Sequence, residues 1–183
     1  MERDSSRAIT DALRAKVFEA IERTEHMVAQ VPLDRLTWAP EFPGAGAAPR
    51  DFGHLLGHLL DCLAGFCAVF AAGFPAELAE LQQLRSYPVN QSCSPEEARK
   101  GLRMFAEYIE RGFQCCTDGD LARQIPTVFV REGETLLTLL LGNFEHLTNH
   151  KYQLFLQLKF SGVLVGTKDL YHLRGPAGEF RSE

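Results

Sequence analysis

Four stretches of this chain repeat apolar residues at every third or fourth position, and proline or glycine breaks the chain between them. That period belongs to helices packed by one face, and it excludes a sheet protein. Over residues 4–30 the spacing is kept by Leu13, Val17, Ala20, Ile21, Thr24 and Val28. Asp4 or Ser5 is available as a cap, and Pro32 stops the segment. Residues 51–73 repeat it with Phe52, Leu55, Leu56, Leu59, Leu60, Leu63 and Phe66, between Asp51 as cap and Gly73-Phe74-Pro75 as stop. The third segment opens on Ser94-Pro95-Glu96-Glu97 and runs to Cys116. There Ser94 and Glu97 stand at the spacing of a capping box, with proline at the first helical position. The fourth runs from Thr135 to Phe160 and ends at Ser161-Gly162.

The connections are long. Residues 31–50 hold four prolines and two glycines and carry Trp38, the one tryptophan, which should anchor this loop to the core. Pro75 and Pro88 break the second connection. In the third, Val128 to Val130 suggest a loop or a short extended piece. The tail from about residue 163 reads as irregular. With no repeat, low-complexity tract or linker, residues 1–183 are expected to form one domain, an all-α four-helix bundle with long connections.

Composition narrows the function. The net charge is −5, and no basic patch alternates with aromatics, so nucleic acid is not an expected partner. The N-terminus is charged and the apolar runs are short or interrupted, so neither a signal peptide nor a membrane span is expected. The expected location is cytoplasmic. Five cysteines, an odd count with no CxxC pair, argue against a disulfide framework; Cys62 and Cys67 read as small core residues.

Four of the six histidines form two pairs at i, i+4: His54 with His58, and His146 with His150. Each pair leaves its helix on one side. On the second helix His54, His58, Asp61 and Gly65 make a polar stripe beside the core; on the fourth, His146, His150, Gln153 and Gln157 do the same. A single helix histidine is ordinarily a surface residue or a hydrogen-bonded core group. Two pairs on two largely apolar helices could bring three or four imidazoles to one point, and neutral imidazole is a strong ligand for zinc, nickel and related ions. His26 and His172 have no partner pattern; they read as a polar-face residue and a tail residue.

A set of motifs adds to this. "LTWAPEFPG" spans Leu36 to Gly44, Gly53 is followed five residues later by His58, and "HLTNHKYQLFLQLKFSG" contains His146, His150, Gln153 and Gly162. In this order the features resemble the DinB/YfiT-like superfamily of four-helix proteins, to about residue 165. That superfamily is related to thiol-dependent transferases and to the N-terminal domain of the mycothiol-dependent maleylpyruvate isomerase. The resemblance implies a metal triad of His58, His146 and His150, with water in the open position. His54 falls where the triad has no ligand, so it is expected to support the site or the helix. Asp61, Gln153 and Trp38 are expected around the metal or its pocket. Where many members have His-Arg-Gly-Gln, this chain has His150-Lys151-Tyr152-Gln153, and Tyr152 adds bulk at the pocket.

The leading expectation is a metal-dependent enzyme acting on a small molecule, with a thiol-dependent transferase or isomerase as the specific form that the resemblance implies. Its cofactors would be a divalent metal, zinc or nickel, and a low-molecular-weight thiol; a homodimer is the assembly envisaged. Asp61 and Glu145 are the acid or base candidates, although Glu145 leaves its helix on another side. The alternative is a non-catalytic bundle that binds a ligand or partner and keeps a vestigial metal site.

Overall fold

The computed structural model describes residues 6–41, 50–127, 130 and 132–173. It contains α1 (Ala8–Val28), α2 (Phe52–Gly73), α3 (Pro95–Cys115), α4 (Leu136–Phe160) and a short α5 (Thr167–Leu170). Two-residue strands β1 (Gln124–Ile125) and β2 (Glu134–Thr135) pair antiparallel just before α4, Gln124 opposite Thr135. Single 3-10 segments occupy Leu33–Arg35, Ala79–Ser86 and Asp118–Ala122 in the connections.

α1 and α2 each pack against both α3 and α4, so they stand diagonally across the bundle. The core is rich in phenylalanine: Phe52, Phe66, Phe70, Phe105 and Phe113 are fully buried. α2 is long and apolar enough to cross a membrane by length and composition, but here it runs through the protein core, with Leu55, Leu56, Leu59 and Leu63 wholly covered by the other helices.

The helix ends follow the sequence signals where local chemistry decides them. At α3 the Glu97 N–H donates to Ser94 Oγ at 3.2 Å while the Ser94 N–H donates to Glu97 Oε2 at 2.8 Å. At α4 the Thr138 N–H donates to Thr135 Oγ1 at 3.1 Å. Its other end closes on Gly162, in the left-handed region at φ 84°. The Val163 N–H reaches Leu158 O at 3.0 Å and the Gly162 N–H reaches Lys159 O at 3.1 Å, the paired bonds of a Schellman motif. At α2 the His54 N–H donates to the Asp51 carboxylate at 2.8 Å, and the N–H groups of Phe52 and Gly53 donate to the carbonyls of Trp38 and Leu36. The loop thus satisfies donors that a helix start leaves orphaned, and Trp38 anchors it by stacking on Phe52, ring centroids 5.4 Å apart.

Three expectations need correction or limits. The proposed caps Asp4 and Ser5 lie outside the described residues, as do Val128 and Phe129. α1 begins at Ala8, and Arg7 at its cap position makes no side-chain capping bond. Its start is held instead from the α3–α4 connection: Asp118 Oδ1 accepts from the Thr10 N–H at 2.8 Å and Oδ2 from the Ser6 hydroxyl at 2.7 Å. The tail is not wholly irregular, because α5 packs on α1. That packing partners the two remaining histidines: His26 and His172 stack with centroids 4.0 Å apart, and His26 Nε2 lies 3.3 Å from Asp169 Oδ1.

Candidate metal centre

His58 comes from α2; His146 and His150 come from one face of α4, which packs against it. His58 Nε2 stands 3.0 Å from His150 Nε2 and 3.3 Å from His146 Nε2. Their candidate ligand atoms all lie within 4.8 Å of one another, and among the described residues this is the one cluster of three such ligands. Two nitrogens bound tetrahedrally to one zinc ion stand about 3.3 Å apart, given metal–nitrogen lengths near 2.0–2.1 Å. The separations of His58 from His150 and from His146 match that spacing.

The far sides of the rings set their protonation. His58 Nδ1 lies 2.5 Å from Asn90 Oδ1, and His150 Nδ1 lies 2.8 Å from Gln153 Oε1. An amide oxygen only accepts, so each Nδ1 carries the hydrogen and each Nε2 of the neutral ring carries a lone pair. Two lone pairs then face each other across 3.0 Å, an arrangement that a shared cation relieves. Burial is the largest influence on both rings and pushes their pKa values below the ordinary 6.5; the amide hydrogen bonds oppose this, and the neighbouring histidines and Arg50 add to it. The neutral, ligating form is favoured.

Asn90 was not visible as a site residue in the sequence. It reaches His58 because the 87–93 segment lies directly on α2. The Asn90 N–H donates to Gly57 O at 3.1 Å and the Cys93 N–H to Gly53 O at 3.2 Å. A β-carbon on Gly57 would stand 1.8 Å from the Gln91 carbonyl oxygen, so only glycine permits this approach. Asn90 itself takes φ 58°, a left-handed conformation that asparagine tolerates better than most residues. The available signal was Gly53 and Gly57, one turn apart at the leucine-rich start of α2, together with an asparagine two residues after Pro88.

The other expected residues divide. Gln153 holds His150 as described. Asp61 lies beside the triad, its Oδ2 3.7 Å from His58 Nδ1. His54 serves the helix start: its side chain is 55% exposed and its Nδ1 lies 2.8 Å from the capping Asp51. Three imidazoles therefore converge and not four, because the His54 ring turns outward to the capping Asp51 while its neighbours Phe52 and Leu55 stay buried. Trp38 packs on Phe52 and does not line the cavity at the triad; its size is used to fix the loop. Tyr152 is half exposed and also outside the cavity lining, so its bulk falls on the surface and leaves the pocket unchanged. Gln157, on the same stripe, donates to the Arg50 carbonyl at 2.8 Å. That cavity, of about 640 Å³, has Asp61, Asn143 and His146 at one end and apolar walls beyond.

No protein-family model and no curated protein matches the chain by sequence. By structure it is similar to a DinB-like protein, YjoA of Bacillus subtilis, with a TM-score of 0.62 over 84% of this chain and 94% of that one, at 17% identity. The chain has a DinB-like fold.

Proposed function

We propose that His58, His146 and His150 together bind one divalent cation, zinc or nickel, and that the protein is a metal-dependent enzyme acting on a small molecule. The observation that carries this reading is the pair of outward amide bonds from Asn90 and Gln153, which leaves the Nε2 lone pairs of His58 and His150 aimed at each other 3.0 Å apart. Three protein ligands leave a coordination position free, and an ion so held supplies a Lewis acid able to favour the deprotonated form of a bound thiol or water.

The protein's own residues have distinct parts. Asn90 and Gln153 orient the rings. Asp61, which lines the same cavity as His146 and is about one-third exposed, is the carboxylate we assign to take the proton of an incoming thiol and pass it to solvent. The thiol comes from outside the chain: Cys67 lines the cavity, but burial pushes its pKa up to about 12, so it stays protonated. The DinB-like fold is compatible with a thiol-dependent transferase or isomerase, and this is the reaction class we favour.

Elemental analysis of the purified protein, and of three variants, tests the metal reading. His58→Ala and His150→Ala should each lose most of the bound metal, and His54→Ala should keep it. Full occupancy in His58→Ala, or loss in His54→Ala, would overturn the assignment.

A further inference from the structure

The cavity beside the triad differs sharply between its two ends. Its polar end is Asp61, Asn143 and His146, and His146 is also a member of the triad. From there it follows one stripe of α2, through Ala64, Gly65, Ala68 and Ala72, to Pro75. From Asp61 to the end of α2 at Gly73 the stripe spans about 18 Å of helix at 1.5 Å per residue. The facing wall is Leu81, Leu84 and Val89 from the connection after α2. Asp61 is the one charged group among the described lining residues, and no cation lines the cavity among them.

We infer that this cavity holds the uncharged, apolar body of the ligand whose head group reaches the triad, so that the substrate or co-substrate is a thiol on a hydrocarbon-like frame. This rests on the metal reading above. A peptide-like thiol such as glutathione would bring carboxylates into a space whose described lining offers no arginine or lysine, and would meet the Asp61 carboxylate at the triad end. Burying an unpaired carboxylate is costly, whereas each methylene laid along the alanine stripe gains from leaving water. The lack of large side chains along this one stripe of α2 keeps that space open, and Gly65 is small enough to admit the Asn143 side chain, whose Oδ1 would otherwise stand 2.2 Å from a β-carbon.

The test titrates zinc-loaded protein calorimetrically with ethanethiol, butanethiol, hexanethiol and glutathione, and separately follows 1-hexanol, which has no thiol, by ligand-observed NMR. Affinity should rise about fourfold per added methylene, roughly 250-fold over the four methylenes from ethanethiol to hexanethiol. Glutathione should bind no more tightly than ethanethiol. Ala68→Trp, at an exposed position on the cavity floor, should abolish the chain-length dependence and the hexanol signal while zinc stoichiometry stays the same. If zinc is bound but affinity is flat with chain length, or glutathione binds more tightly than hexanethiol, the apolar-ligand inference is wrong and the metal reading stands. If no zinc is bound, the metal reading fails, and hexanol then decides the cavity alone: binding lost in Ala68→Trp supports it, and absence of binding to the unaltered protein overturns it.

Discussion

At His58 and His150 the hydrogen bond on one side of a ring determines what the other side can do. Removing an amide that orients a ligating histidine typically weakens metal binding 10- to 100-fold. Asn90→Gly keeps a residue that accepts the left-handed backbone and deletes only the amide. A loss of about that size is expected in a zinc competition titration against a chelating dye. The same two rings give a pH dependence to the metal-free protein. Burial lowers both pKa values from 6.5 in the folded state. Below pH 6.5 the unfolded chain takes up protons that the folded chain refuses, so stability falls as pH falls. Denaturant midpoints of the metal-free protein should therefore decline from pH 7 toward pH 5, and the decline attributable to these groups should shrink in a His58→Ala, His150→Ala double variant.

Among the elements, α2 carries the most conflicting demands. It must be apolar enough to run through the core, yet it presents a ligand, and it must let a second backbone lie on it at Gly57. Gly57→Ala places a methyl group against the Gln91 carbonyl and has no flexible side chain to move aside. It should displace the 87–93 segment, withdraw Asn90 from His58 and lower zinc affinity without altering any ligand. Ser94→Ala is the comparison at the cap of α3, whose hydrogen bonds go to Glu97 and not to the triad. It should cost about 1 kcal/mol of stability and leave zinc affinity unchanged, measured by denaturation and by the same dye titration.

For the whole molecule, Asp118 ties the α3–α4 connection to the start of α1. Burial opposes its charge, but hydrogen bonds from the Thr10 backbone and the Ser6 hydroxyl, with the Ile9 backbone, outweigh this and hold the carboxyl at about 2. Asp118 therefore favours folding above the ordinary aspartate value of 3.8, and its contribution disappears as pH falls toward 2. Asp118→Ala should lower the melting temperature at neutral pH and flatten the loss of stability between pH 4 and pH 2, as followed by circular dichroism.

What could be read from the sequence was what depends on neighbours within a few positions. Helical period, the Ser94–Glu97 box, the Asp51 and Thr135 caps and the Gly162 stop act across one turn, so the four helices and the ends of α2, α3 and α4 were legible, as was the pairing of His146 with His150, whereas the start of α1 was not. The resemblance to a known superfamily, carried by Gly53, His58 and the second histidine pair, pointed to the triad that the structure brings together. Contacts between residues far apart in the chain were decided by tertiary structure alone. Asp118 caps a helix more than a hundred residues earlier, Asn90 sits on His58 through a bare glycine backbone, His26 meets His172 only because α5 folds back, and His54 is excluded because its ring turns out of the bundle to Asp51. Each depends on where a loop lies in space, and loop conformation is set by packing that no local spacing of residues encodes.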